Sequence, residues 1–349
     1  MVDEKPHGGR CGEPRCRPGG AHRARPSEQR SRSRPLHGAA RPAYLTPAHP
    51  LSPAFRFLPL RPVMKKMLFT LSLTSLFGLF LSGTVQAATP EAGKVFKDCK
   101  DCPEMVVLPA GTFTMGAPEE ELGRQPDEGP MHDVTFAKPF AISRFQVLSG
   151  EWDAYIKSSG YKMPDGDTRP GRECKAGKPR YPLGPRQPAV CMDWNEAKAY
   201  VAWLSKKTGK SYRMVSEAAR EYAARGGSKG SFPFPMDEGK TYGIAKHANT
   251  YGPEDGFSYT APAGSYSPND FGIYDAHGNV YEWTADCETS NYNGAPTDGS
   301  AWLAGDCTWK MIRGNDWTEA PIFSRSGNRN SRQPDVRGDW LGFRVMRDL

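Results

Sequence analysis

Six cysteines between residues 99 and 307 have the widest choice of chemistry in the chain: Cys99, Cys102, Cys174, Cys191, Cys287 and Cys307. In an exported protein an even set favours disulfides. The spacing suggests Cys174–Cys191 and Cys287–Cys307 as loop staples, which leaves Cys99 with Cys102. Zinc or thiol redox chemistry is the competing reading of Cys99-x-x-Cys102. A zinc site usually wants a second Cys or His pair, and none here has that spacing. A thioredoxin-like site would start a helix, but Pro103 and the strand-like Met105–Leu108 come next in the chain.

Two Gly-rich acidic turns offer hard oxygen donors. In the first, Asn249 and Asp255 supply side-chain oxygens, Thr250 and Phe257 would supply carbonyls, and Gly252 and Gly256 let the backbone turn. In the second, Asp275 and Glu282 supply carboxylates, and Gly278 and Val280 would supply carbonyls. Mixed donors on flexible loops suit calcium better than magnesium. Ordinary turn chemistry explains the same residues without a metal. Asp316 and Glu319 form a carboxylate pair that could do acid–base work, with the Ser324 hydroxyl in the same segment. A solvated loop is the plainer explanation. His132, His247 and His277 are far apart in sequence. His132 follows Pro130 into a strand and reads as structural; His277 sits inside the second acidic turn.

The elements that must position these groups are short. Ser149 can cap a helix bearing Trp152, Tyr155 and Ile156. Asp193 with Glu196 forms a capping-box-like start, Ala197, Tyr200, Val201 and Leu204 recur at helical spacing, and Gly209 closes the segment. Ser216 can cap a third helix ended by Gly226-Gly227. Strands fit Met105–Leu108, Asp133–Phe136, Phe140–Ser143, Lys310–Arg313 and Gly342–Met346. The composition, rich in Gly, Pro, Asn, Asp and aromatics, predicts a loop-rich α+β domain over 103–349, preceded by a lead at 88–102 that contains the C-x-x-C pair.

Residues 1–63 are dominated by Arg, Pro, Gly, Ser and Ala and cannot bury enough apolar surface to offset ordering entropy. They read as a disordered tail or, preferably, as an extension from a misplaced start codon. The preference rests on residues 64–87. Met64-Lys65-Lys66-Met67 is a short basic region, Leu68 to Leu81 an apolar run, and Val85-Gln86-Ala87 a small-residue cleavage site. These are the parts of a signal peptide over 64–87. The run is short for a span of about 20 residues, so the sequence predicts cleavage after Ala87, no stable membrane anchor, and a periplasmic or secreted mature chain. The tail has 12 Lys+Arg and 4 Asp+Glu, so the net +7 of the chain becomes −1 over 64–349. Without Lys65 and Lys66 the mature chain is about −3, and its body has no basic stripe, which argues against nucleic acid as a partner.

The order of segments resembles the formylglycine-generating-enzyme, or sulfatase-modifying-factor, family. Met105-Val106-Val107-Leu108-Pro109-Ala110-Gly111-Thr112-Phe113-Thr114-Met115-Gly116 is similar to its opening strand and turn. Gln187-Pro188-Ala189-Val190 leading into Asp193-Trp194-Asn195-Glu196-Ala197 resembles its entry to the second helix. Arg213-Met214-Val215-Ser216-Glu217-Ala218 and Glu221-Tyr222-Ala223-Ala224-Arg225-Gly226-Gly227 resemble its third helix, with departures at Met214-Val215-Ser216 and Ala219-Arg220. Gly272-Ile273-Tyr274-Asp275-Ala276-His277-Gly278-Asn279-Val280-Tyr281-Glu282-Trp283 is the strongest match, and Leu341-Gly342-Phe343-Arg344-Val345 matches the closing strand. The resemblance implies a C-type-lectin-like α+β fold with little regular structure. It also implies calcium at both acidic turns, with Asp275 where Asn is common and Tyr281 where Trp is.

The family's oxidase chemistry resides in two copper(I)-binding cysteines near the C-terminus. The corresponding segment, Arg313 to Ser326, contains no cysteine, and Asp316 replaces a serine of the family's active site. Copper(I) selects soft thiolates, so copper is not expected. The resemblance therefore implies the fold and withholds the reaction. Three functions are compatible with it. The first is an exported non-thiol relative of these oxidoreductases or a maturation factor in the periplasm, as in siderophore (pyoverdine-type) maturation. The second is a non-catalytic lectin-like protein that binds a peptide, glycan or partner enzyme; Arg313 to Arg337 is rich in side chains for polar recognition. The third is true formylglycine generation using other thiols such as Cys287 and Cys307. The substrate would be a protein, a peptide or a small molecule.

Overall fold

The computed structural model describes residues 90–169, 172–236 and 243–349. The tail and signal-peptide assignments, 1–63 and 64–87, lie outside the described residues. In chain order the elements are β1 (Val95–Phe96), β2 (Met105–Leu108), β3 (Gly111–Met115), β4 (His132–Phe136), β5 (Phe140–Ser143), α1 (Ser149–Ser159), β6 (Cys174–Lys175), β7 (Lys178–Pro179), α2 (Trp194–Thr208), β8 (Tyr212–Met214), α3 (Glu217–Arg225), β9 (Tyr281–Glu288), β10 (Asp306–Arg313), β11 (Asn330–Arg332), β12 (Leu341–Phe343) and β13 (Val345–Asp348). One sheet runs β1-β2-β5-β13-β8 and a second runs β11-β10-β9-β12. This is the mixed, loop-rich α+β, C-type-lectin-like architecture the resemblance implies. No described helix is long and apolar enough to cross a membrane.

The helices follow their local signals. Asp193 Oδ1 accepts the Glu196 amide and Glu196 Oε2 accepts the Asp193 amide, both at 2.8 Å, so two otherwise orphaned donors are satisfied. Gly209 ends α2 at φ 67°, a left-handed conformation that glycine takes without Cβ strain. Ser216 caps α3 through the Ala219 amide at 3.1 Å. The cap of α1 falls one residue before Ser149. Leu148 has no side-chain acceptor, and Glu151 instead reaches back to the Leu148 amide at 2.9 Å. The strand expected over Gly342–Met346 is two strands broken at Arg344, whose buried side chain turns inward to Glu282 and the Ser143 carbonyl.

Two apolar clusters hold the layers together. Trp152 and Tyr155 of α1 pack on Tyr200 of α2, with Trp283 and Phe343 in the same core. Tyr222 of α3 joins Val106, Phe136, Phe140 and Met346 in the other. Each such side chain contributes about 1.5–3 kcal/mol when fully buried. The long irregular stretches rely on covalent staples as well. All three expected disulfides form: Cys99–Cys102, Cys174–Cys191 and Cys287–Cys307. In the chain-entropy account, each of the two longer loops contributes about 3 kcal/mol by restricting the unfolded chain.

Candidate functional site

Strand β10 delivers the chain from the core to the segment that lacks thiols. Its last residue, Arg313, is buried in ion pairs. Gly314 follows at φ 102°, and a Cβ there would lie 2.3 Å from the Arg220 guanidinium. Asn315 then takes a left-handed φ of 68°, uncommon for a residue with a side chain. Its Nδ2 donates to Ser324 Oγ at 2.8 Å and to the Ala320 carbonyl at 3.1 Å, while its Oδ1 is buried without a partner. Asn315 thereby ties the Asp316 turn to Ser324, at the end of a short 3-10 turn over Pro321–Ser324.

Asp316 is 2 % exposed. Its Oδ1 accepts the Thr318 amide at 2.6 Å and the Thr318 hydroxyl at 2.7 Å; Oδ2 makes no hydrogen bond with a described residue. Burial pushes its carboxyl up to about 7; the Thr318 hydrogen bonds oppose this, Glu319 adds to it and Arg172 opposes it weakly. Glu319 is half-buried next to it, so two of the three expected residues share one electrostatic environment and Ser324 is linked through Asn315. A carboxyl that titrates near neutrality can hold or release a proton under ordinary conditions.

An aromatic wall adjoins this corner. Tyr181 stacks on Tyr259 with ring centres 4.4 Å apart, and Trp317 meets Tyr259 edge-on at 5.4 Å. Tyr181 and Trp317 both donate to the Asp339 carbonyl, at 3.0 and 3.2 Å. Arg172 pairs with Asp339 at 2.8 Å and lies over the Trp317 ring at 5.3 Å. Trp340 packs edge-on against Tyr281 and has Arg332 over its ring. Asp339 Oδ2 and Trp340 Nε1 are buried without partners among the described residues. Nothing in the sequence marks Arg172, Tyr181, Tyr259, Asp339 and Trp340, because they come from separate irregular segments whose spacing gives no signal.

The calcium expectations divide. At the first turn, Asn249 Oδ1 is buried and unpartnered, and the Asp255 carboxylate accepts the Thr250 and Phe257 amides at 2.8 and 2.9 Å. An orphaned amide oxygen and a carboxylate on one loop fit a hard cation. At the second turn the donors do not fit as arranged. Glu282 is held by Arg220 at 2.6 Å and Arg344 at 3.0 Å. The Gln146 amide nitrogen, with two hydrogens to give, lies 3.0–3.4 Å from four oxygens, those of Glu282 and of the Asp275, Gly278 and Val280 carbonyls, where a cation would bind. Asp275 Oδ2 accepts the Gly264 amide at 3.2 Å, and Oδ1 is buried without a partner among the described residues. Two guanidiniums against the one carboxylate facing that spot repel a divalent ion. Among the described residues no group of three or more His, Cys, Asp or Glu could hold a metal ion.

The histidines do not form a catalytic pair. His277 is buried with Nδ1 2.6 Å from the Ser324 carbonyl and Nε2 3.4 Å from the Ala224 carbonyl. Burial holds its pKa down at about 4, so it is neutral at physiological pH. His247 stacks on Phe234 at 4.3 Å, and His132 packs against Tyr292.

Comparison with known proteins places this geometry. Residues 91–349 match the sulfatase-modifying factor enzyme 1-like domain. The solved structure of PvdO from Pseudomonas aeruginosa is 71% identical, with a TM-score of 0.73 over 75% of this chain and 100% of that one. The "Inactive C-alpha-formylglycine-generating enzyme 2" of Bos taurus is 30% identical, covering 69% of this chain and 86% of its own length. The formylglycine-generating enzyme of Mus musculus is 29% identical over 70% of this chain and 75% of its own. Treponema denticola variable protein 1, 20% identical with a TM-score of 0.56, covering 73% of this chain and 98% of its own, shares the fold.

Proposed function

The chain belongs to the sulfatase-modifying factor enzyme 1-like family, and from that premise we propose that it is an exported maturation factor whose reactive group is the Asp316 carboxyl rather than a thiol pair. One observation supports this above the others. Asp316 is buried, is poised near neutrality, has one oxygen locked by Thr318 and leaves the other without a hydrogen bond from any described residue, next to an aromatic wall. In this reading Thr318 orients the carboxyl, Oδ2 takes or gives the proton, and Tyr181, Tyr259 and Trp317 seat an aromatic or partly apolar portion of a peptide or small molecule. Action outside the cytoplasm is supported by the signal-peptide pattern at 64–87 and by three disulfides in one domain. Calcium at Asn249, Thr250, Asp255 and Phe257 would brace the loop that leads into Tyr259.

The test uses a strain lacking the gene, complemented with the native chain or with Asp316→Asn. Mass spectrometry of periplasmic peptides and secreted siderophores reads the outcome. The native chain should clear a precursor that accumulates equally in the deletion and in the Asp316→Asn strain. Full clearance by Asp316→Asn removes the carboxyl from the reaction. That result would favour the second reading, a binding or accessory protein, which the guanidiniums of Arg172 and Arg332 over the Trp317 and Trp340 rings support.

A further inference from the structure

The Cys287–Cys307 disulfide differs chemically at its two ends. It joins β9 to β10 where the register slips: Asp306 faces Glu288, yet Lys310 faces Cys287. The surplus residues of β10 bulge outward, and the bulge leaves Cys307 exposed while Cys287 stays buried. Beside the buried sulfur lies Lys310, only 7 % exposed, with Nζ 3.3 Å from Cys287 Sγ and 4.4 Å from the Trp194 ring centre. No ion pair to Lys310 forms among the described residues. Asp286, next in the chain, directs its carboxylate to the Glu217 and Trp302 amides instead. Asp286 still favours the charged Lys310 from a distance, but a buried ammonium with no carboxylate in contact is costly. The group in contact with Nζ that could become an anion is Cys287 Sγ, whose thiolate exists only when the disulfide opens.

We propose that Cys287–Cys307 is a thiol–disulfide exchange site, with Cys307 the attacked sulfur and Lys310 the group that holds the departing Cys287 thiolate. An incoming thiolate attacks Cys307 Sγ; a mixed disulfide forms, the Cys287–Cys307 bond breaks, and its electron pair leaves on Cys287. A second thiolate then attacks the external sulfur of the mixed disulfide, and Cys307 leaves as a thiolate that takes up a proton. Two external thiols become one disulfide, and the protein's disulfide becomes two reduced cysteines. A leaving thiol of lowered pKa departs faster, and a neighbouring lysine lowers it. The approach is open. A groove of about 570 Å³, lined by Trp194, Val201, Met214 and Leu303, also includes Cys307 and Lys310 in its wall. By contrast both residues of Cys174–Cys191 are buried, and no described cation donates to either sulfur.

The exchange is measured on the native protein in buffers of graded reduced and oxidised glutathione. Alkylation and peptide mass spectrometry read each disulfide. Cys287–Cys307 should open at a reduced-to-oxidised ratio at least tenfold milder than Cys174–Cys191. The first glutathione adduct should sit on Cys307. Lys310→Met should require about a tenfold stronger ratio, or about 30 mV, with Lys310→Arg close to the native chain and Lys198→Met unchanged. Opening no earlier than Cys174–Cys191, or an adduct first on Cys287, overturns the proposal with no variant needed. So does a folded Lys310→Met that opens at the native ratio.

Discussion

Arg313 and Asp316 are three residues apart and belong to opposite electrostatic regions. Behind Gly314, the carboxylates of Glu217, Glu221 and Glu282 are each gripped by guanidiniums. Glu217 takes Arg313 at 2.7 Å and Arg329 at 2.7 Å; Glu221 takes Arg225 at 2.8 Å as well as Arg313; Glu282 takes Arg220 and Arg344. In front of Gly314, Asp316 is as deeply buried, but no guanidinium of a described residue grips it. Burial alone would raise both kinds of acid. The arginines pull Glu217 down to about 2, whereas Asp316 is left near 7. Equal burial thus produces a locked frame on one side and a titratable group on the other, and the counter-charge makes the difference.

The sharpest way to break that comparison is to remove a carboxylate from the frame. Glu217→Gln leaves Arg329 buried without an anion, and we expect a loss of about 3–5 kcal/mol in urea unfolding. Because the folded pKa of Glu217 lies below its ordinary 4.5, its contribution is present above that pH and disappears as pH falls through about 2. A loss under about 1 kcal/mol would mean that the frame tolerates an unpaired guanidinium, and the contrast would collapse.

Asp316→Asn should act with the opposite sign. The folded carboxyl binds its proton more tightly than the unfolded one, with a pKa of about 7 against 3.8. Stability is therefore full below about pH 4 and declines as pH rises through 7. A shift of that size corresponds to at most about 4 kcal/mol. The variant should be about 2–4 kcal/mol more stable than the native chain at pH 8 and should lose that part of the pH slope. Equal stability of the two proteins at pH 5 and pH 8 would show that Asp316 is ionised at ordinary cost and is not poised.

The sequence shows the frame's supports and hides its interior. The Asp193–Glu196 box, the Ser216 cap and the cysteine pairing are local, so spacing alone reveals them. Strand β9 carries an unbroken apolar–polar alternation from Tyr281 to Glu288, so its strand character is legible; what alternation does not predict is that the polar face, Glu282, Thr284 and Asp286, is also buried, with partners from α3, β10 and Arg344 before β13. Glu282 itself read as a calcium ligand, since nothing near it in sequence announces Arg220 or Arg344. At the site, Asp316, Glu319 and Ser324 could be named from one segment. The aromatic wall could not, because Arg172, Tyr181 and Tyr259 reach it from loops without periodicity.

Calcium gives a smaller effect and separates the two acidic turns. If the Asn249–Phe257 loop binds calcium, filling it a hundredfold above the dissociation constant adds about 2.7 kcal/mol. The thermal midpoint should rise with calcium and fall with a chelator. Asp255→Asn should abolish that response, while Gln146→Ala should not create a second one. A response that survives Asp255→Asn would return the ion to the turn where Glu282 faces two arginines.

The smallest expected effect is none: the purified chain should leave a Cys-x-Pro-x-Arg peptide unconverted even with copper(I), oxygen and a reductant. Copper(I) oxidase chemistry needs two soft sulfurs close together, with the substrate thiol able to join them. The segment after Arg313 presents Asn315, Asp316, Thr318, Glu319 and Ser324, all oxygen donors or amides, and Asn315 already holds Ser324. The six cysteines of the domain are paired in disulfides. Cys307 is exposed, so the reductant in this assay makes Cys287–Cys307 a thiol source to guard against. Mass spectrometry of the peptide decides between thiol and aldehyde. Turnover above a copper-only control that vanishes in Cys287→Ser or Cys307→Ser would show that the chemistry had moved to that pair.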